Sequence, residues 1–389
     1  MSVAEPARRP SIPAGRYGAR LEAAAGVATR LGTDALLIGV GADLEYLTGY
    51  AAHALERLTM LVLTANGTAT LVVPRLEVTP ARACPGVTGG FVEVVTWDET
   101  DDAYALAASM TELPLAAGRV AVSPTLWALH VLNLERVLPD TAFELATAVT
   151  RELRMHKDAD EIELLRLAAQ AADRVVAQIA AGRLVGRTEV DVAREVHERL
   201  IAEGHAEAPF GIVGSGPNSA SPHHGASERV IGAGEPIVLD IGGRLGGYGS
   251  DTTRTLWVTG GDPNRGPDEE FLHLFSVLRT AQERATAAVR PGIACEAIDA
   301  VAREIITGEG YGPNFFHRVG HGIGLEGHEE PYLVGGNDEP LEVGYAFSVE
   351  PGIYLEGRYG ARIEDIVVCG PNGPIVLNES SRDLWIVDG

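Results

Sequence analysis

Two aspartates, Asp240 and Asp251, flank the Gly-rich turn of PIVLDIGGRLGGYGSDTTRTLWV, Pro236 to Val258, each inside an apolar, β-branched run. Two such runs about a glycine turn predict a β-hairpin. With Gly242 paired to Gly249, Asp240 falls directly opposite Asp251, and cross-strand neighbours sit roughly 4.5–5.5 Å apart at Cβ. Like charges at that spacing repel unless something positive lies between them. A divalent cation is the simplest candidate, since Mn, Mg, Co and Zn all accept carboxylate oxygens. Asp beside Gly is also a common turn residue, so this hairpin alone leaves both readings open. A second hairpin, AFSVEPGIYLEGRYGARIEDIVVC, puts Glu350 on its first strand and Glu364 on its second, about a turn holding Gly357 and Gly360. If the two ribbons pack face to face, four carboxylates converge. Without cations one pair would have to stay protonated, and two divalent ions resolve the repulsion.

Between the ribbons lies FFHRVGHGIGLEGHEEP, with His317, His321 and His328. Gly320, Gly322 and Gly324 argue against a continuous helix, so the two histidines four apart are not a helical HExxH zinc pair. Glycines here let the backbone press close to a ligand. A lone loop histidine is more often structural, but three in so short a stretch beside acidic hairpins favour function. Another candidate lies in NSASPHHGASERV, where His223 and His224 are adjacent. Neighbouring side chains point in opposite directions, so one of the two at most is expected to reach the site.

The elements that carry these ribbons come in duplicate. Gly186 and Gly204 bracket one helical pattern, and Gly292 and Gly310 bracket another at the same separation. Each is preceded by a longer helix, Asp158 to Ala181 and Asp268 to Val289, and followed by an acidic hairpin. This order is an internal repeat of a helix, helix, hairpin unit. Before it comes a block of alternating elements: a helix at Tyr17 to Leu31, a strand at Ala35 to Val40, and a hairpin of Leu58 to Leu63 with Thr68 to Val73 about Asn66-Gly67. Phe91 to Thr96, Asp102 to Thr111 and Val120 to Val122 continue the α/β alternation. With no His, Cys and acidic cluster, this block is expected to shape or cover a site. Charge density rises at ELRMHKDADEIE and sets the boundary near Glu152, giving domains 1–152 and 153–389. The fold class is α/β (α+β), and Met1 to about Pro13 reads as a loose end.

The formal net charge of −23 over 389 residues disfavours nucleic acid and anionic membranes, which are held by Lys and Arg. Thirty arginines accompany one lysine, Lys157, which reads as codon bias. Three scattered cysteines, Cys84, Cys295 and Cys369, argue against a disulfide framework. No apolar run suits a signal peptide or a membrane span, so a cytoplasmic location is expected.

The motifs VLDIGGRLGGYGSDTTRT, HRVGHGIGLEGHEEP, SVEPGIY and RIED, in this order, resemble those of the Xaa-Pro peptidases of the pita-bread metallopeptidase family M24, which includes prolidase and aminopeptidase P. The likeness runs from about Lys157 to the C-terminus, and the preceding block resembles a creatinase-type N-terminal domain. The resemblance implies a dinuclear centre of two divalent ions, usually manganese, with cobalt or zinc possible. Its ligands would be Asp240, Asp251, His321, Glu350 and Glu364, with Asp251 and Glu364 bridging. It further implies catalytic roles for His223, His328 and Glu350, a substrate-pocket position for His317, and an orienting role for Arg362 beside a ligand carboxylate. Archaeal-type prolidases carry an arginine four residues beyond the matching histidine, thought to grip the substrate's terminal carboxylate. Tyr332 stands there in this sequence and is expected against substrate, leaving room for longer peptides. Hydrolysis before proline in short peptides, by a homodimer, is the expected function. Action on a small non-peptide substrate and a non-catalytic binding module are the other readings.

Overall fold

The computed structural model describes residues 11–113 and 118–389, so the N-terminal segment read as a loose end lies, as far as residue 10, outside the described residues. The chain divides into two compact units between Arg154 and Met155.

The first unit is built on a six-stranded sheet, β1 (Ala35–Gly39), β2 (Met60–Thr64), β3 (Ala69–Pro74), β4 (Glu93–Trp97), β5 (Arg119–Val122) and β6 (Ala142–Leu145), in the order β4-β3-β2-β1-β5-β6. Strands β1 to β3 are antiparallel neighbours, as the Asn66-Gly67 turn demands, and β4, β5 and β6 join in parallel. The first helix spans Ala14–Leu31, beginning three residues earlier than its apolar periodicity suggests, directly after the extended Pro13. The helices Ala42–Thr48 and Ala128–Val137 and strand β6 have no counterpart in the sequence reading. Strand β6 is short and mostly exposed, so it lacks the apolar alternation that would announce it.

The second unit repeats one plan. Helices Ala159–Ala180 and Glu189–Ala202 pack on β7 (Glu207–Ser215), β8 (Glu235–Leu245) and β9 (Tyr248–Val258) around Leu239, Ile241, Val176 and Val196. Helices Glu269–Ala288 and Cys295–Gly308 pack on β12 (Ala346–Val349), β13 (Gly352–Leu355), β14 (Tyr359–Arg362) and β15 (Asp365–Gly370) around Phe271, Leu278, Phe347 and Val367. Gly186 and Gly292 hold matching positive φ, 82° and 83°, ahead of the second helix of each half. Between the second pair of helices and its ribbon, β10 (Gly320–Gly322) and β11 (Glu329–Leu333) extend the second sheet to the order β11-β10-β12-β15-β16, with β16 at Gly373–Val376. Strand β17 (Trp385–Val387) closes the first sheet, in the order β17-β9-β8-β7.

The first hairpin differs in register from the expectation. Gly246 and Gly247 both take positive φ, 61° and 88°, and form a two-residue turn that pairs Leu245 with Tyr248. That moves the ladder by two residues. Asp240 faces Thr253 and Asp251 faces Gly242, so the aspartates are diagonal neighbours on one face rather than opposites. The second ribbon is split: β12 pairs with β15 and β13 with β14, with Glu350 and Glu364 at the break between the ladders. Gly357 lies in its turn, at φ 73°, but Gly360 belongs to β14.

Candidate metal centre

The two ribbons are stitched together where the carboxylates lie. The Glu364 backbone N–H donates to the Thr253 carbonyl (3.1 Å), and the Arg254 guanidinium, almost fully buried, donates to the Glu364 carbonyl (2.6 Å) and to Asp365 (2.7 Å). Diagonal neighbours Asp240 and Asp251 therefore face Glu364. His321 comes from β10, which presses against both its neighbours. A Cβ on Gly320 would stand 1.9 Å from the Ser348 carbonyl oxygen, and one on Gly322 would stand 2.3 Å from that of Glu330, so only glycine fits on either side of His321. His321 Nε2 lies 3.2 Å from Glu350 and 3.7 Å from Asp251. Ligand atoms of Asp240, Asp251 and Glu364 lie within 4.8 Å of one another, as do those of His321, Glu350 and Glu364. The five residues thus form two overlapping groups that share Glu364.

The site's polar atoms are unevenly satisfied. Asp240 Oδ1 and Glu364 Oε1 are buried with no hydrogen-bond partner among the described residues, whereas the other oxygens accept from Arg362 and from Thr253 Oγ1 (2.7 Å). Burial first, then the neighbouring carboxylates, pushes the Asp251 and Glu364 carboxyls well above the ordinary range. Burial also raises Asp240 against the pull of Arg362. Burial opposes ionisation of Glu350 too, but the His321 imidazole outweighs it and brings this carboxyl down to about 2. His321 Nδ1 sits 3.1 Å from the Gly322 carbonyl; donating its proton there would leave Nε2 free to ligate once a cation replaces the proton it shares with Glu350. Desolvated carboxylates with unpaired oxygens and one imidazole lone pair are the donor set that divalent cations take, and the residues fit such ions.

A cavity of about 720 Å³ opens on this cluster. Its wall carries Phe210, Ile212 and Phe316 on the apolar side, and His223, His317, His328, Arg318 and Arg362 on the polar side. Of the adjacent pair, His223 lines the cavity while His224 Nε2 lies 2.7 Å from buried Glu189. The His328 ring lies 3.8 Å from that of His321. His317 Nδ1 meets the Arg318 carbonyl at 2.7 Å and its Nε2 meets Tyr354 Oη at 3.1 Å. Burial lowers both His317 and His328, the latter to about 4 with the charges of His321 and Arg318 assisting. Arg362 donates to Asp240, Thr253 Oγ1 (3.1 Å) and Tyr354 Oη (2.9 Å). Tyr332 departs from expectation, because it does not line the cavity. The Arg318 guanidinium covers its ring at 4.2 Å and takes the wall position itself.

Residues 163–371 match the sequence profile of metallopeptidase family M24, and residues 20–156 match the creatinase/prolidase N-terminal domain. The chain belongs to family M24. As an M24 chain it is similar to the probable dipeptidase PepE of Mycobacterium tuberculosis, 45% identical over 372 residues covering 95% of this chain and 96% of that one. The Xaa-Pro dipeptidase of Lactobacillus delbrueckii subsp. lactis is 33% identical over 363 residues, covering 92% and 95%. The crystal structure of dipeptidase PepE from Mycobacterium ulcerans superposes with a TM-score of 0.89 at 45% identity, over 97% of this chain and 99% of that one. The architecture is therefore a creatinase-type N-terminal domain followed by a pita-bread domain, and M24 membership implies divalent metal ions.

Several residues around the M24 centre escaped sequence reasoning. Tyr354 sits inside SVEPGIY and Thr253 inside the first hairpin, both in quoted motifs, but nothing in their spacing shows that one hydroxyl bridges Arg362 and His317 and the other accompanies Glu364. Glu189 opens a helix, where an acidic residue is routine. In the fold it accepts hydrogen bonds from Ser215, Asn218 and Ser227 as well as facing His224. Lys157, read as a remnant of codon bias, is buried with its Nζ 2.6 Å from Glu329, the neighbour of His328.

Proposed function

We propose that this protein hydrolyses the peptide bond preceding proline in short peptides, using two divalent ions, most simply manganese, with cobalt or zinc as alternatives. The observation that carries the reading is the gathering of Asp240, Asp251, His321, Glu350 and Glu364 on one cavity, with orphaned oxygens on Asp240 and Glu364. Bound there, the ions would supply a nucleophilic water at neutral pH and polarise the scissile carbonyl.

The rest of the work falls to the chain. The nitrogen of an Xaa-Pro bond bears no hydrogen and leaves poorly as an anion, so it must receive a proton as the C–N bond breaks. Glu350 has an oxygen at the cavity wall, steadied by Ser348 Oγ (3.2 Å), where it would take a proton from the attacking water. It then passes that proton to the proline nitrogen. His223 and His328 face the same space and donate to the developing oxyanion and the leaving group. Arg362 holds Asp240 in place, and His317 is fixed through Tyr354. Phe210, Ile212 and Phe316 give an apolar wall for the ring and exclude water.

Three free, buried thiols accord with a reducing, cytoplasmic setting, and among the described residues no helix is long and apolar enough to cross a membrane. A homodimer is part of the proposal and is read by sedimentation.

The test is hydrolysis of Ala-Pro, Ala-Pro-Ala and a pentapeptide with proline second, after loading with Mn, Co or Zn. Cleavage before proline that disappears with a chelator supports the reading. Asp251→Asn should lower kcat/KM by at least about 10³-fold, and full activity in that variant would overturn the metal mechanism.

A further inference from the structure

Asp251 and Glu364 come from different sheets. Asp251 lies on β9, in the order β17-β9-β8-β7, and Glu364 immediately precedes β15, in the order β11-β10-β12-β15-β16. Among the described residues no strand ladder joins β9 to β15, so the spacing of the two carboxylates is left to a few cross-bonds, and like charges gathered at short range push apart. One side chain of the C-terminal segment ties the two backbones together away from the cavity. Side chains alternate along a strand, so Thr252 projects from the opposite face to Asp251. Asn378, only 8% exposed, donates to Thr252 Oγ1 at 2.9 Å and accepts from the Ile366 N–H at 2.8 Å, two residues beyond Glu364. Its other amide hydrogen goes to Asp173 Oδ1 (3.1 Å) on the helix Ala159–Ala180, and Asp173 in turn accepts from the Glu379 N–H (2.6 Å) and Ser380 Oγ (2.5 Å). Both N–H donors and the carbonyl of the Asn378 amide are thus engaged, and the group cannot turn without stranding a buried partner.

We infer that Asn378 is a positioning residue for the metal centre: it holds the backbones of Asp251 and Glu364 at a fixed separation from behind, and so sets how tightly the chain binds divalent ions. This role rests on the metal centre proposed above and lies outside its ligand set. Each group of potential ligands found among the described residues contains Asp251 or Glu364, so a shift between their backbones disturbs all of them. Removing a group that orients a ligand typically costs about 10- to 100-fold in metal affinity.

The experiment titrates the metal-free full chain with manganese against a chromogenic chelator and follows thermal unfolding of the same metal-free samples. Asn378→Leu, close in shape but without the amide, should weaken manganese binding by about 10- to 100-fold. Thr252→Val cuts the link to β9 alone and should weaken it by about 3- to 10-fold. Arg279→Met removes the exposed Arg279–Asp383 pair of the same segment and should bind within about twofold of wild type. An unchanged dissociation constant in Asn378→Leu, even with lower thermal stability, assigns Asn378 to folding alone and overturns the inference. Should that variant fail to fold, unchanged binding by Thr252→Val overturns it. An equal loss in Arg279→Met does so too, since the segment rather than the amide would then be acting. These results leave the metal centre standing, whereas a wild type that takes up no manganese, cobalt or zinc overturns both.

Discussion

Glu350 stands where two demands on a carboxylate meet. It lies 3.2 Å from His321 Nε2 in the group that could hold a metal ion, and it lines the cavity where the proposed reaction hands on a proton. Glu350→Gln keeps the shape and an oxygen donor but removes proton transfer. It should lower kcat by about 10²–10⁴-fold with a much smaller change in KM, measured on Ala-Pro at saturating metal. A variant that loses only KM would assign Glu350 to binding. That these carboxylates would cluster was legible, because carboxylates at matched places in two ribbons have few other uses. The diagonal placement of Asp240 and Asp251 was not, since it turns on whether Gly246 and Gly247 make a two-residue turn, and a run of glycines permits several. Arg318 was equally hidden. Its type was plain, but its place on the cavity wall, over the Tyr332 ring, exists only in three dimensions.

At the scale of elements, the helix Glu189–Ala202 carries more than its share of the site's order. Its first residue is fully buried and ties down the loop that ends in His223 and His224. Burial raises the Glu189 carboxyl, but Ser227, His224 and Ser215 overcome that and bring it from an ordinary 4.5 to about 2. The folded value lies below the unfolded one, so the stabilisation is complete above about 4.5 and is lost as pH falls toward 2. It amounts to about 2–3 kcal/mol. Urea unfolding of wild type and Glu189→Gln should therefore show a gap that narrows by about that much between pH 5 and pH 2.5. A gap independent of pH would mean that the network holds the amide as well as the carboxylate. The two helix, helix, hairpin units were legible from glycine spacing because both brackets need left-handed backbone. The connecting strands β10 and β11 were not, being short and dictated by close approach to β12 rather than by an apolar pattern.

Over the whole molecule, 31 basic residues face 54 acidic ones, and thirty of the basic ones are arginine. The single exception is the Lys157 buried against Glu329, its side chain 1% exposed. Lys157 therefore turns an accident of composition into a property of the folded state. No side-chain primary amine meets solvent, so a succinimidyl ester should leave the native protein without a lysine adduct and attach one only on unfolding. Peptide mapping across a denaturant series would read this as a mass step at residue 157, a built-in footprint of the opening of the loop around Glu329. Coupling chemistries aimed at amines would spare the enzyme's working face altogether.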